Sequence, residues 1–365
     1  MMFDTQGGKI IHILGSNIPH HNRTLLTFFA TQIAPNMAEK PKFWVVSDAD
    51  FTQEFPELDI QIFSGKKTIA QAIIATFSQD PTAYCFFHGQ FNLGVWLAIL
   101  VGKIPPERCA WHIWGADLYE SSTAWKFRLF YPFRRFAQKR LHTVFGTQGN
   151  LDFFCKINPK SNRLLLYFPT KMPQKVPLFS KEGLGEIWWT KNSADLTILL
   201  GNSGDPSNLH LRGLDQLYQQ LGKNVQLKIP MGYPANNQAY IAQVREKAEQ
   251  LFGCEQVEIW DEPQEFANYL QNLTACDLGY FPFERQQGIG TICLLIEMGI
   301  PVVLNSQNPF CMDMHTQQVP FLLESEISRE HIQTTHQQLL DVDKTKIAFF
   351  PQSYKRMWLE RMDSI

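Results

Sequence analysis

The amino-acid sequence predicts an α/β protein with two Rossmann-like, doubly wound parallel sheets. Three observations support this class: short apolar runs alternate with amphipathic helical patterns, the alternation forms two series, and a proline-rich segment separates the series. At 365 residues the chain is also longer than one typical core. Because ligands of open parallel sheets bind beyond the carboxyl ends of the strands, we expect two such edges to face a cleft.

Each series consists of apolar runs of strand length followed by helical patterns. The strands predicted in the first half are Lys9–Leu14, Phe43–Val46, Ile60–Phe63, Ala83–Phe87, Cys109–Ile113 and Thr143–Phe145. Those predicted in the second half are Leu196–Leu200, Val225–Ile229, Val257–Ile259, Cys276–Phe281 and Val302–Leu304. The predicted intervening helices include Thr68–Phe77, Leu93–Val101, Asn208–Leu221, Asn237–Phe252 and Glu262–Leu273.

These series predict the domain organisation. Residues 1–168 and 195–340 are expected to form the two domains, joined by a linker over 169–194 that contains three prolines. Residues 341–365 are expected to form a C-terminal helix, with the option that it packs back on the N-terminal domain. Active-site residues should then come from the loops that follow strands in both halves.

Composition restricts the class of protein. Hydrophobic residues make up 44% and charged residues 19%, as in globular chains. The net charge of −2 argues against a nucleic-acid partner. The seven cysteines form no CxxC pair, so we expect buried free thiols in a reducing cytosol. No signal-peptide pattern and no apolar stretch of about 18 residues is present, which predicts a soluble or peripheral protein.

The most informative motif follows the strand that ends at Phe281. A loop containing Gly288 and Gly290 leads there into a short apolar helix. Bare glycine amides at a helix start offer a positive, close-approach surface for phosphate, although an ordinary βαβ turn has the same pattern. Arg285 is a candidate contact for a diphosphate or sugar. The lack of a GxGxxG fingerprint argues against a nicotinamide enzyme.

Two further loops of the second half supply the remaining donor-binding candidates. The loop after Leu200 is rich in small residues, and the loop after Pro230 contains Tyr233, whose ring could stack on a base. The complete predicted donor-binding set is Gly201, Asn202, Ser203, Gly204, Gly232, Tyr233, Glu284, Arg285, Gln287, Gly288, Ile289, Gly290 and Thr291.

Polar side chains also follow three strands of the first half. His20 and His21 follow the first strand, His88 the fourth and Asp117 the fifth. Imidazole is suited to general base catalysis near neutral pH, but adjacent histidines at a helix start can also be exposed cap residues. Asp117 could cap the next helix or contact a substrate hydroxyl. These four residues are the predicted catalytic candidates.

A basic and aromatic cluster extends from Trp125 to Arg140. Such a mixture suits an interfacial surface facing anionic lipid headgroups, although a partly buried helix with a cationic solvent face has the same composition. The basic residues predicted to meet membrane or acceptor are Arg128, Arg134, Arg135, Lys139 and Arg140. The DxD pattern Asp48–Asp50 has no evident partner ligand and reads better as a solvated turn, so no metal and no cofactor are expected.

Long stretches of the chain resemble one family. They are His12–Thr24, Phe86–Asn92, Trp111–Glu120, Leu166–Thr170, Gly201–Asp205, Pro230–Pro234 and Arg285–Thr291. They resemble the TDP-N-acetylfucosamine:lipid II N-acetylfucosaminyltransferases, the 4-alpha-L-fucosyltransferase family of enterobacterial common antigen synthesis. The similarity covers nearly the whole chain. The extra N-terminal residues and the segment 179–189 depart from the family pattern.

The resemblance implies a GT-B glycosyltransferase, peripheral on the cytoplasmic face of the inner membrane. It would move 4-acetamido-4,6-dideoxy-D-galactose (Fuc4NAc) from dTDP-Fuc4NAc to lipid II, the disaccharide ManNAcA-GlcNAc on undecaprenyl diphosphate, and form lipid III. The second domain would then bind the donor and the first the lipid-linked acceptor. Two alternatives stay open: a double-Rossmann nucleotide-sugar epimerase, which needs no lipid acceptor, and a nucleotide-sugar-binding protein without turnover.

Overall fold

The computed structural model describes residues 10–80, 82–120, 125–172, 196–234 and 237–362. The chain forms two compact units. The first comprises residues up to Thr170 together with those from Ala348 onward, and the second runs from Lys171 to Ile347. Most of the predicted linker, residues 173–194, lies outside the described residues.

The first unit is built on a parallel sheet of short, mostly buried strands. The strands are β1 (Ile10–Leu14), β2 (Lys42–Val46), β3 (Asp59–Phe63), β4 (Tyr84–His88), β5 (Cys109–His112), β6 (Thr143–Gly146) and β7 (Asn162–Leu165). Their order is β3-β2-β1-β4-β5-β6-β7. β2 and β3 are therefore added on one side of β1, and β4 to β7 on its other side. β1 and β4 are the adjacent strands at this switch point, where ligands of such sheets bind.

Helices connect most of the consecutive strands. They are α1 (Pro19–Phe28), α2 (Lys66–Gln79), α3 (Leu93–Leu100), α4 (Trp125–Gln138) and α5 (Gln148–Ile157). Side-chain caps define two of their starts: Asn92 accepts from the Gly94 amide before α3, and Thr147 accepts from the Asn150 amide before α5. The faces of α2, α3 and α5 that pack on the sheet supply aliphatic and aromatic residues to one continuous core.

The second unit repeats this plan. Its strands are β8 (Leu196–Leu200), β9 (Val225–Pro230), β10 (Val257–Trp260), β11 (Leu278–Phe281), β12 (Val302–Leu304) and β13 (Leu322–Leu323), in the parallel order β10-β9-β8-β11-β12-β13. Its helices are α6 (His210–Leu221), α7 (Gln238–Phe252), α8 (Phe266–Thr274), α9 (Ile289–Glu297), α10 (Phe310–Thr316) and α11 (Arg329–Asp341). Here β8 and β11 are adjacent at the switch point.

The last helix, α12 (Pro351–Met362), belongs to the first unit. Trp358 is buried and its indole N–H donates to the Tyr167 carbonyl at 2.9 Å. The Tyr354 hydroxyl donates to the Thr170 carbonyl at 3.1 Å. The Trp358 ring also packs edge-on against Phe29, with 5.3 Å between centroids. The C-terminal helix thus completes the core of the unit that contains the start of the chain.

The predicted fold class, two doubly wound parallel sheets, is confirmed. Every strand predicted from the sequence is present, with shifts of one or two residues at the ends. The sequence pattern predicts neither β7 nor β13, because both are short strands at sheet edges that carry little of the buried apolar pattern. Within the described ranges, no helix is long and apolar enough to span a bilayer.

Candidate active site

Three loops of the second unit meet at the carboxyl edge of adjacent strands. They follow β8, β9 and β11, and comprise residues 201–208, 231–234 and 282–288. Most of the donor-binding residues predicted from the sequence lie in these loops. The edge is also the switch point of the sheet, the position at which doubly wound folds bind ligands.

The loop after β8 is shaped by one buried asparagine. The Asn208 carboxamide oxygen accepts from the Asn202 amide at 3.0 Å, and its nitrogen donates to the Ser203 hydroxyl at 2.9 Å. Gly201 starts the loop with φ of +72°, and a Cβ there would lie 2.6 Å from Nε2 of His210. The chain therefore needs glycine at this position, both for its conformation and for space.

Close backbone approach joins this loop to the loop after β9. The Gly204 amide donates to the Tyr233 carbonyl at 2.6 Å. A Cβ on Gly204 would lie 2.5 Å from the Met231 carbonyl oxygen, and one on Gly232 would lie 2.2 Å from the Glu262 carbonyl carbon. Because both obstacles are backbone atoms, neither glycine can be replaced without moving a loop. The Tyr233 side chain is half exposed beside them.

Arg285 links the loop after β11 to the loop after β8. Its Nη2 donates to the Ser207 hydroxyl at 2.7 Å and its Nε donates to Oε1 of Gln287 at 2.9 Å. The Ser207 hydroxyl in turn donates to Oε1 of Gln287 at 3.0 Å, and Asp205 lies 3.8 Å from the guanidinium. Burial lowers the pKa of Arg285 and the charge of Asp205 opposes that shift. Arginine is charged at neutral pH in proteins, and the bonds to Ser207 and Gln287 hold the guanidinium in one orientation.

Helix α9 begins beside this arginine. Gly288 at its N-cap has φ of +67°, and a Cβ there would lie 2.9 Å from the Asn202 side chain. A Cβ on Gly290 would meet nothing within 4 Å, so the first turn of the helix borders open space. The Asn202 Oδ1 atom is buried and has no hydrogen-bond partner in the described part of the chain. Amides at a helix N-terminus beside a fixed guanidinium form a site suited to an anion.

Two predicted donor-binding side chains, those of Glu284 and Thr291, have other partners. Glu284 accepts from Arg212 at 2.9 Å in a surface ion pair. The Thr291 hydroxyl shares a hydrogen bond of 2.8 Å with the Tyr269 hydroxyl. Ile289 is the first residue of α9 and contributes its backbone amide to the helix start. The structure thus brings together Asn202, Gly204, Tyr233, Arg285, Gln287 and Gly288, while Glu284 lies outside this group.

His88 lies in a buried cluster of histidines in the first unit. Nδ1 of His12 and Nε2 of His88 are 2.9 Å apart, and the His88 ring stacks on Trp358 with 5.8 Å between centroids. Nε2 of His112 lies 3.3 Å from the Leu166 carbonyl oxygen. Burial lowers the pKa of His12 and of His112 to about 3, and lowers the pKa of His88 well below its ordinary value. This burial does not favour contact between His88 and a substrate, and no sequence pattern indicates its histidine partners.

Asp117 is also fully buried, with an exposed fraction of 0%. Its Oδ2 accepts from the Gln90 amide at 2.9 Å and from the Trp111 indole N–H at 2.7 Å. Its Oδ1 accepts from the Trp114 amide at 2.9 Å. The carboxylate therefore holds the loop after β4 against the loop after β5. This geometry favours a structural role for Asp117 in joining the two loops over the predicted helix cap or substrate contact. The catalytic role of Asp117 stays a prediction.

The remaining candidates of the first unit lie at the start of α1. His20 is exposed and His21 is half-buried, with 4.1 Å between their ring centroids. His21 packs edge-on against Trp114 at 5.2 Å. Nearby, Ser16 Oγ and Gln90 Nε2 are buried atoms with no hydrogen-bond partner among the residues the structure covers. Sequence reasoning missed Ser16 and Gln90, although both occur in loops it had placed at this edge.

The DxD pattern forms local turns. Asp48 accepts from the Asn17 side chain at 2.7 Å, and Asp50 Oδ1 accepts from both the amide and the hydroxyl of Thr52. The cysteines are free thiols, and five of the seven are buried.

Comparison with known proteins identifies the family. A profile of the family described as 4-alpha-L-fucosyltransferase, glycosyl transferase group 56, matches residues 8–364. The chain belongs to this family. It is therefore a glycosyltransferase of the hexosyltransferase class, as the resemblance implied.

Solved structures agree on the fold of this glycosyltransferase. Anabaena HepE in complex with UDP and glucose is similar with a TM-score of 0.56 and 15% identity, covering 97% of this chain and 95% of HepE. WaaG, a glycosyltransferase involved in lipopolysaccharide biosynthesis, gives 0.55 and 13%, covering 96% and 95%. The GT-B fold class is thereby confirmed. A putative UDP-N-acetylglucosamine 2-epimerase from Listeria monocytogenes gives 0.51 and 14%, covering 98% and 96%. The fold alone therefore does not separate transferase from epimerase, whereas the family match does.

The predicted basic cluster of the glycosyltransferase contains one residue that is not at the surface. Arg134 is buried, and its Nη2 donates to the carbonyls of Leu118 and Tyr119, each at 3.1 Å. These bonds anchor α4 to the loop after β5 and do not favour the predicted contact of Arg134 with membrane or acceptor, which stays a prediction. Arg128 and Lys139 are exposed, Arg135 pairs with Glu120, and Arg140 donates to the carbonyls of α3.

Proposed function

We propose that this enzyme transfers Fuc4NAc from dTDP-Fuc4NAc to lipid II and forms lipid III of enterobacterial common antigen. The family match supports a fucosyltransferase-type donor, and the seven long stretches that resemble lipid II-dependent enzymes support the acceptor. A lipid-linked acceptor places the reaction at the cytoplasmic face of the inner membrane, with the protein bound peripherally. The observation that best supports binding of the donor is the Arg285 guanidinium, which is held in one orientation beside the start of α9.

The second unit would hold the donor diphosphate. Gly290 borders open space in which a phosphate can approach the first turn of α9, and Asn202 Oδ1 is an acceptor with no partner among the described residues. Tyr233 is exposed beside Gly204 and would offer its ring to the thymine base. HepE, which has the same fold, was solved in complex with UDP and glucose, and this supports a nucleotide-sugar donor.

Bond breaking between the sugar and the diphosphate leaves negative charge on the departing phosphate. Arg285 and the amides that open α9 would stabilise this charge, and they need little reorganisation because Ser207 and Gln287 already orient the guanidinium. The resemblance implies retention of anomeric configuration. The departing phosphate oxygen would then accept the proton of the acceptor hydroxyl, so this path requires no dedicated base.

The first unit would hold the acceptor saccharide. Buried polar atoms of Ser16 and Gln90, with His20 and His21 beside them, lie at the switch-point edge of its sheet. Of these residues, His20 is exposed and can contact an acceptor hydroxyl or carboxylate, whereas the Ser16 and Gln90 atoms are buried.

The deciding experiment incubates the purified protein with dTDP-Fuc4NAc, with and without lipid II, and analyses lipids and nucleotides by mass spectrometry. We expect a trisaccharide lipid and dTDP only when both substrates are present. Conversion of the donor sugar without acceptor would indicate the epimerase alternative, and unchanged donor under both conditions would indicate a binding protein.

A matched pair of variants tests the donor site. Arg285→Gln should lower kcat/KM about 10- to 100-fold, because a charge-assisted hydrogen bond to phosphate is worth about 1.5–3 kcal/mol. Arg245→Gln, which changes an exposed arginine paired with Asp261 on the same unit, is the control and should leave kcat/KM unchanged. Gly290→Ala should impair the donor KM without loss of stability, because its Cβ would enter open space. Normal turnover in both Arg285→Gln and Gly290→Ala would contradict this placement of the diphosphate.

A further inference from the structure

Helix α4 has its apolar side on the outside. Trp125, Leu129, Phe133 and Phe136 follow one another at intervals of four, four and three residues, so they share one face. That face is exposed, with exposed fractions of 74%, 63%, 52% and 59%. The opposite face is buried and partly polar: Arg134 donates to carbonyls of residues 118 and 119, and Gln138 donates to the Asp117 carbonyl. This is the reverse of the usual surface helix, whose apolar side faces the core.

Helix α3 extends the same apolar surface. α3 and α4 pack side by side, and Arg140 ties them by donating to the Ile99 carbonyl. Val95, Trp96 and Ile99 of α3 and Ala137 of α4 enter the same core. The outer side of α3 therefore borders that of α4. It carries Leu93, Leu97 and Val101, with exposed fractions of 47%, 39% and 66%, and residues 93–101 include no charged side chain.

Cations border the apolar residues of α4. Arg128, Arg135 and Lys139 lie along one side of the exposed stripe and Lys126 lies on the other, while residues 125–140 contain no acidic residue. Lys126 Nζ lies 5.6 Å from the Phe127 ring centre and Lys139 Nζ lies 5.8 Å from that of Phe136. Such cations extend their charge past an apolar surface while their stems stay on it.

We infer that the exposed faces of α3 and α4 bind the surface of an anionic lipid bilayer, with the apolar side chains in the acyl boundary and the cations among the headgroups. The cations of α4 complement the negative charge of such a bilayer, and this favours the bilayer as the partner of the surface. A second copy would bring two sets of cations together across a symmetric interface, which disfavours self-association through this face. The inference deepens the lipid-acceptor part of the proposed function by naming the surface that reaches the membrane.

The test uses vesicles that contain neither donor nor acceptor, so its result does not depend on the proposed reaction. Full-length protein is sedimented with phosphatidylethanolamine–phosphatidylglycerol vesicles and with neutral phosphatidylcholine vesicles. We expect strong binding to the first, weaker binding to the second, and partial release from the first in high salt.

Two variant pairs locate the surface. Leu129→Ser/Phe133→Ser should weaken binding to the anionic vesicles at least about tenfold, because two apolar side chains no longer transfer from water into the bilayer. Tyr218→Ser/Met312→Ser changes two exposed apolar residues of the second unit and should bind as the parent does. Arg128→Glu/Lys139→Glu should weaken binding to anionic vesicles by at least about thirtyfold. Lys223→Glu/Lys346→Glu, the same charge change on the second unit, should not do so. Circular dichroism and thermal melting verify that each variant is folded.

Several outcomes would overturn the inference. The protein could fail to bind anionic vesicles, or the test and control variants could lose vesicle binding equally. The folded test variants could also bind anionic vesicles as strongly as the parent. Sedimentation velocity without vesicles provides a further arm. A dimer that Leu129→Ser/Phe133→Ser dissociates would show that a second copy covers this surface.

Discussion

Acidification should destabilise the first unit strongly, because three buried histidines lie together in its core. His12, His88 and His112 are each at most 2% exposed, and they pack with Phe86 and Trp358. Burial disfavours their charged forms and lowers the pKa of all three. The unfolded chain therefore binds more protons than the folded chain once the pH falls below about 6.5.

The size of this effect follows from linkage. A histidine with a pKa of about 3 in the folded state and about 6.5 in the unfolded state lowers the free energy of unfolding by about 2 kcal/mol between pH 7 and pH 5. His12 and His112 together give about 4 kcal/mol, and His88 acts in the same direction. The loss begins near pH 6.5, grows as pH falls, and ends near the folded-state pKa. Burial raises the pKa of Asp117, which opposes the effect at more acidic pH.

The assay must report on the first unit alone, since two compact units need not unfold together. Urea-dependent hydrogen exchange of peptides from β1, β4 and β5, corrected for intrinsic exchange at each pH, measures this local stability. We expect the free energy of unfolding of these strands to fall by about 4 kcal/mol or more from pH 7 to pH 5.

The variant His112→Phe separates histidine protonation from other causes of acid destabilisation. His112→Phe should lose some stability at pH 7, because its hydrogen bond to the Leu166 carbonyl disappears, but should show a pH-dependent loss smaller by about 2 kcal/mol. His142→Gln, at an exposed position on the same unit, should leave the pH dependence unaltered. Equal stability of the parent at pH 5 and pH 7, or an unchanged pH dependence in His112→Phe, would show that the buried histidines do not cause the acid destabilisation.

Two further substitutions test the loops at the sheet edges. Asp117→Asn should destabilise the first unit by about 2–3 kcal/mol, because an amide nitrogen replaces an oxygen that accepts a buried N–H. A variant of normal stability that has lost turnover would instead show that this side chain contacts substrate. Gly204→Ala should weaken dTDP binding about tenfold or more by calorimetry, because its Cβ would lie 2.5 Å from the Met231 carbonyl oxygen. Gly65→Ala, whose Cβ would have no neighbour within 4 Å, is its control, and equal affinities would contradict the steric explanation.

Much of the donor site could be predicted from the chain. Glycines and small residues directly after apolar strands predicted the loops at Gly201 and Gly288, since few other residues permit positive φ or close backbone approach. The contact between Arg285 and Ser207 could not be predicted, because it joins residues 78 positions apart. It exists only because β8 and β11 are neighbours in the folded sheet.

For the histidine and aspartate candidates, the sequence predicted the position in the fold but not the burial. A strand-ending position predicted that His88 and Asp117 would reach the sheet edge, and both do follow or end strands. Burial, however, depends on what covers the edge. Trp358 stacks on His88 from a helix 270 residues later in the chain, and Asp117 is enclosed by the loops that it braces.

Local periodicity and backbone freedom, which can be read along the chain, specify the two parallel sheets, their order and the glycine loops. The folded packing adds which polar groups are enclosed, which loops meet at Arg285, and that α3 and α4 present one apolar surface. Those features depend on contacts between residues distant in sequence. Such contacts follow from the packing of whole elements, which no local pattern encodes.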